Sequence, residues 1–230
     1  MSSWAREKGI VAMGGDLSLS RLLAAYRQGI FPWYDEEAPA PLWWSPDPRM
    51  VLFPEEFRLS RSLRRVLCHG AHEVRMDTAF AKVITACAKT PRRDQAGSWI
   101  TGEIRDAYTA LHAAGYAHSV ETWMDGELAG GLYGVAIGRM FYGESMFSLR
   151  RDASKIAFAY LVRHLRAEGF GLIDCQVKTA HLASLGGREI PRLEFNTLLR
   201  DLVERENAPG AWPQYPLPWT RPLDGKGASP

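Results

Sequence analysis

Glu144 stands in the run Met140-Phe141-Tyr142-Gly143-Glu144-Ser145-Met146-Phe147, an acid among aromatic and apolar neighbours. An ionised carboxylate in such a setting needs a partner or a shifted pKa, because burial penalises charge. Asp174 raises the same question in Leu172-Ile173-Asp174-Cys175-Gln176. Strand alternation puts Asp174 and Gln176 on one face and Cys175 on the other, where a thiol packs as a small apolar group. A structural carboxylate paired with an arginine is the simpler account of either acid, and two in one predicted sheet strain that account. Other chemistries lack their residues. No serine sits in a GxSxG elbow, and His181 is a lone histidine of the kind that is more often structural. Gly130, Gly131, Gly134 and Gly138 do not spell GxxxxGK[ST] and fall within predicted strands, so they read as bulge or close-approach positions. Cys68, Cys87 and Cys175 have no CxxC spacing, so no metal site and no disulfide framework is expected. Any reactive group therefore has to arrive with the substrate.

The elements that must hold these residues are legible in part. Leu19, Leu22, Leu23 and Tyr26 form a helical stripe capped by Asp16 or Ser18 and closed by Gly29. Prolines 32, 39, 41, 46, 48 and 54 then exclude a long regular element. Leu63, Val66 and Leu67 lie opposite Arg61, Arg64 and Arg65, and a further helix is expected from an Asp77 cap to the residues before Pro91. Ile104, Ala107, Tyr108 and Leu111 repeat the helical spacing. Turn signals at Asp125-Gly126 and Gly138-Arg139 divide residues 118–147 into an antiparallel meander of three strands. A helix over about 152–168, a short strand, and a helix opened by Pro191 follow, before a proline-rich tail expected to fray at its end. This order predicts an α+β fold with a mostly antiparallel sheet, divided into a small amino-terminal domain, 1–57, and a catalytic domain, 58–230.

The chain has 230 residues, enough for a substantial core, and its 46% hydrophobic and 23% charged composition is that of a globular protein. No apolar run is long enough to cross a membrane, and the first residues lack the apolar core of a secretory signal, so a cytoplasmic location is expected. A net charge of +2 makes no whole-molecule case for nucleic acid. Local clusters carry that question: Arg61, Arg64 and Arg65; Lys89, Arg92 and Arg93; Arg150, Arg151 and Lys155. By itself each reads first as a solvated helix end or face, since Lys and Arg sit mostly on surfaces.

Taken together, GGDLSLSRLLAAYRQGIFPWY, PLWWSPDPR, HSVETWMDGELAGGLYGVAIGRMFYGESMFS, DASK, DCQ and HLASLGGREIPR resemble the bacterial leucyl/phenylalanyl-tRNA–protein transferase family, from about Gly14 to Phe195. The resemblance implies transfer of Leu or Phe, less well Met, from Leu-tRNA or Phe-tRNA to proteins with amino-terminal Arg or Lys, marking them for N-end rule degradation. It also implies a catalytic domain similar to the GCN5-related acetyltransferase (GNAT) fold. No cofactor or metal is called for, since an aminoacyl ester is already activated. No membrane partner is implied, and a monomer is expected.

By the same resemblance Asp174 and Gln176 are the catalytic pair, either as a relay in which Asp174 polarises Gln176 to help remove the amine proton, or as groups that only position substrates while a tRNA hydroxyl shuttles the proton. Glu144 lines the site with Gly143 and Ser145, where an acid can hold a substrate ammonium or the acceptor's basic side chain. Leu132, Phe141, Met146 and Ile173 would wall the pocket for the donor's side chain, and Trp44 and Trp99 would stack near the terminal adenosine. The groups Arg61, Arg64 and Arg65 and Arg150, Arg151 and Lys155 would meet tRNA phosphates. Thr179, which departs from the asparagine of some family members, receives no catalytic role. Two rivals stand beside this reading. An acetyl-CoA-dependent acyltransferase should show a glycine-bearing pyrophosphate loop where this chain has RRDASK. A non-enzymatic RNA- or degron-binding module leaves Asp174 and Gln176 without a task.

Overall fold

The computed structural model describes residues 9–90, 98–213 and 218–219. Near the amino terminus β1 (Ile10–Met13), β2 (Phe31–Pro32) and β3 (Leu42–Trp44) form a small antiparallel sheet in the order β1-β3-β2, with α1 (Leu19–Tyr26) between β1 and β2. The prolines keep these strands short, as expected. The next strand, β4 (Arg49–Leu52), leaves this group and joins a larger sheet.

That sheet has seven strands in the order β10-β4-β9-β8-β7-β6-β5. Its members are β5 (Glu73–Met76), β6 (Ala117–Met124), β7 (Glu127–Ile137), β8 (Met140–Ser148), β9 (Leu172–Gln176) and β10 (Arg188–Ile190), with β4 between β10 and β9. The predicted meander is β6-β7-β8, and its first turn has Asp125 at φ 53° and Gly126 at φ 78°, the left-handed pair that suits a tight hairpin. Gly138, at φ +57°, makes the second, and a Cβ there would also strike the Leu202 carbonyl. Every pairing is antiparallel except β8 with β9.

Helices cover both faces. On one side α3 (Phe80–Lys89), α4 (Gly102–Ala113) and α7 (Arg192–Glu204) pack with α1 and the small sheet around Tyr133, Val135 and Tyr142. On the other, α2 (Arg61–His69) and α5 (Ala153–Ala167) cover Val120, Leu132, Phe141 and Ile173. A short α6 (Ala180–Ser184), not anticipated, follows β9. Burying both faces removes on the order of 1.5–3 kcal/mol of exposure cost per large apolar side chain, so the two cores lock the sheet between them. The α+β architecture with a mostly antiparallel sheet is thus present, and no described helix is long and apolar enough to cross a membrane.

One expected cap is displaced. α3 starts at Phe80, not at Asp77; Asp77 is buried and accepts from the Ser119 and Trp212 backbone N–H groups and pairs with His118 at 2.8 Å. Glu121, from β6, instead accepts from the Thr78 hydroxyl just before the helix. A sequence window sees the acid before the apolar stripe; it cannot see that β6 brings His118 and Ser119 to engage that acid. The Arg92–Arg93 part of one basic cluster, and the expected fraying of the tail beyond residue 219, lie outside the described residues.

Candidate active site

The site begins where two neighbouring strands part. β8 and β9 are paired only over Met140↔Leu172, Phe141↔Ile173 and Tyr142↔Asp174. Immediately beyond, β8 has one residue too many: Gly143 faces Gly134 of β7 and Ser145 faces Tyr133, which leaves Glu144 as the extra residue of a β-bulge. β9 is irregular at the same level. Val51 of β4 faces Asp174 while Met50 faces Gln176, so Cys175 is extra there. A bulge bends its strand and re-aims its side chains, and two side by side open the sheet. Between them lies a cavity of about 630 Å³.

Its two ends differ. Leu132, Phe141, Met146, Ile173 and Cys175, with Phe158 and Leu161 from α5, make an apolar end on the α5 side of the sheet. Glu144 and Gln176 form a polar end on the other side, near Phe31, Pro32 and Trp33 of the small sheet. Burial pushes the Cys175 thiol well above its ordinary value, so it is apolar wall rather than nucleophile.

The polar end is a chain of contacts. Asp174 is fully buried and receives Arg49 Nε at Oδ1 (2.8 Å) and Nη2 at Oδ2 (2.6 Å). The guanidinium is sandwiched between the rings of Phe31 and Phe195, 4.9 and 4.5 Å from their centroids. Asp174 Oδ1 also accepts the Gln176 backbone N–H at 2.8 Å, which holds Gln176 in a left-handed conformation, φ 62°. The Gln176 side chain turns to Glu144, Nε2 donating to Oε1 at 3.1 Å. No described residue hydrogen-bonds the Gln176 amide oxygen, which leaves it as an acceptor at the cavity wall. Glu144 is also within hydrogen-bond distance of two tyrosine hydroxyls, Tyr26 Oη at Oε1 (2.7 Å) and Tyr108 Oη at Oε2 (3.1 Å). Burial raises its carboxyl to about 7, while the two tyrosine hydrogen bonds pull the other way.

Leu132, Phe141, Gly143, Glu144, Ser145, Met146, Ile173, Gln176 and Trp99 all line the cavity. Asp174 does not; it stands behind Gln176. Trp44 is also one layer back, its Nε1 donating to the Trp33 carbonyl at 2.6 Å while Trp33 lines the wall. Arg61, Arg64 and Arg65 are exposed on α2. Arg150 and Arg151 are exposed beside the start of α5, Arg150 tied to Asp125 at 2.6 Å, and the Lys155 ammonium lies 3.0 Å from Asp152. Thr179 caps α6 by accepting the Leu182 N–H. Arg49, Tyr26 and Tyr108 were missed. Tyr26 and Tyr108 have ordinary core spacing, and nothing local marks an arginine after two prolines as buried.

A sequence model described as leucyl/phenylalanyl-tRNA protein transferase matches residues 51–200, and one described as the amino-terminal domain of that transferase matches residues 15–47. The chain belongs to the leucyl/phenylalanyl-tRNA protein transferase family. A family member from Nitrosospira multiformis is 63% identical over 195 residues, 85% of this chain and 83% of that protein. Another from Nitrosomonas eutropha is 56% identical over 213 residues, 93% and 90% of the two chains. As in those relatives, the activity is that of a transferase enzyme. Among solved structures, a GCN5-related N-acetyltransferase from Kribbella flavida aligns with 74% of this chain and 60% of its own, at 12% identity and a TM-score of 0.38.

Proposed function

We propose that the protein moves leucine or phenylalanine, and methionine less well, from the 3′ end of aminoacyl-tRNA onto the α-amino group of proteins that begin with Arg or Lys, and so marks them for N-end rule degradation. The observation that carries this reading is a cavity apolar at one end and polar at the other, opened by two bulges between β8 and β9. A leucyl or phenylalanyl side chain suits the end walled by Leu132, Phe141, Met146 and Ile173. The ester carbonyl then lies toward Gln176 and Glu144, and Trp99 offers a face to the terminal adenine. The buttress that Trp44 provides through Trp33 serves the same wall. The acceptor stem is met by Arg61, Arg64 and Arg65 and by Arg150, Arg151 and Lys155.

In the reaction the amine nitrogen bonds to the acyl carbon, the ester C–O bond breaks, and one amine proton ends on the ribose oxygen. The α-amino group has an ordinary pKa of about 7.7–8.0, so a fraction is already neutral at pH 7. What the chain contributes is placement. Asp174 favours a positioning role over a base relay, because its contact with Gln176 runs through the backbone N–H and its carboxylate is occupied by Arg49. The amide oxygen of Gln176, which no described residue binds, can accept from the attacking amine. Aminoacyl-tRNA as donor sets the reaction in the cytoplasm, and one chain holds all the residues invoked, consistent with a monomer.

The test uses labelled Leu-tRNA and two peptides that differ only in Arg versus acetyl-Arg at the amino terminus. Label on the free-amine peptide alone, and lost with Gln176→Ala, is the expected result. No label on either, with tRNA still bound, would leave a binding protein and overturn the transferase reading.

A further inference from the structure

Glu144, Tyr26 and Tyr108 close a ring. Tyr26 Oη is 2.7 Å from Glu144 Oε1, Tyr108 Oη is 3.1 Å from Oε2, and the two hydroxyls are hydrogen-bonded to each other. Each of the three edges needs one proton, and each tyrosine brings one. An ionised carboxylate brings none, so one edge would set two oxygens against each other through lone pairs. A carboxylic acid supplies the missing proton. Oε2–H donates to Tyr108, Tyr108 donates to Tyr26, Tyr26 donates to Oε1, and Oε1 takes the Gln176 amide as its second donor.

The charges around the ring agree. Tyr26 comes from α1, Tyr108 from α4 and Gln176 from β9. Arg49 of β4 is bound in bidentate fashion by Asp174, whose own charge opposes a second anion nearby. Tyr133 of β7 packs edge-on against Tyr108, and Tyr142 of β8 donates to the Tyr26 carbonyl. Tyr34, beyond Tyr108, donates to Glu103. Among the described residues, none of the cations forms an ion pair with Glu144.

We propose that Glu144 stands as a neutral carboxylic acid in this ring, and that Glu144, Tyr26 and Tyr108 are positioning residues that fix the orientation of the Gln176 amide. The logic is one of committed protons. With the acid proton held by Tyr108, the carboxyl offers Gln176 only an acceptor. The amide must then present its NH₂ to Glu144, and its oxygen is turned toward the acceptor amine. A neutral polar end offers no counter-ion to an ammonium, so the acceptor enters as the free amine. This role rests on the transferase reading; the ring itself does not. The elevated Glu144 pKa, about 7, accords with the same protonation.

The experiment is an infrared difference spectrum of wild type minus Glu144→Gln, recorded without substrate from pH 5.5 to 9, with Glu144→Asp as a second reference should the first variant fold poorly. Expected is a protonated-carboxyl C=O band at pH 6 that is lost with a midpoint near 7, and that moves to higher frequency in Tyr26→Phe as a donor to Oε1 is removed. Carboxylate bands alone at pH 6, or a band indifferent to Tyr26→Phe, would overturn the ring. Transfer to the Arg peptide is measured on the same preparations, with kcat and KM separated. A lower kcat at unchanged donor KM in Tyr108→Phe supports the positioning role. A band without any transfer overturns that role together with the transferase reading, whereas transfer without the band overturns the ring alone.

Discussion

Arg49 and Asp174, 125 residues apart in the chain, meet through two hydrogen bonds with their side chains only 1% and 0% exposed. Removing one partner leaves the other charged, buried and unpaired, a loss of about 3–5 kcal/mol. Arg49→Met and Asp174→Leu should each lower stability by that order in urea denaturation. The double variant should lose far less than the sum, since no lone charge remains. Additive losses would show that the pair is not coupled.

Gln176 adopts φ 62°, a region that costs a residue with a Cβ about 1–2 kcal/mol. Gln176→Gly should therefore be more stable than Gln176→Ala by about 1 kcal/mol, while both lose transfer activity alike. Equal stabilities would mean that the backbone relaxes once the side chain is gone.

Burial holds the Glu144 carboxyl at about 7 when folded, against 4.5 in a solvated chain. Between these values the folded state binds more protons than the unfolded one, so stability falls as pH rises through the window and levels off above about 7. The full effect is on the order of 3 kcal/mol. Glu144→Gln has no such titration, so its stability relative to wild type should grow from pH 5 to pH 8. Denaturation midpoints for the two proteins across that range test it; a constant difference would refute the raised pKa.

Arg65 and Arg151 are exposed, and Arg151 extends almost wholly into solvent, its side chain 95% accessible. Replacing either by alanine should weaken Leu-tRNA binding without sequence preference and flatten the salt dependence by about 0.7–0.9 in log–log slope per phosphate lost. An unchanged slope would remove that residue from the tRNA surface.

Local signals were enough wherever a period repeats over several residues. The meander β6-β7-β8 follows from the turn signals at Asp125-Gly126 and Gly138-Arg139, and α1 and α4 from their apolar stripes, because each depends on neighbours a few positions away. Glu144, Asp174 and Gln176 stood out as polar residues in apolar runs, and the family blocks around them are long enough to be specific. Which groups satisfy them was decided only in three dimensions. Arg49 reaches Asp174 across 125 positions, Tyr26 reaches Glu144 across 118, and Gln176 joins them through a bulge and a positive φ rather than by plain alternation. Asp77 looks locally like a helix cap and is instead a partner of His118. Periodicity reports which face of an element is buried. The partner of a buried charge depends on which elements the two cores bring together, and that choice is a property of the packed whole.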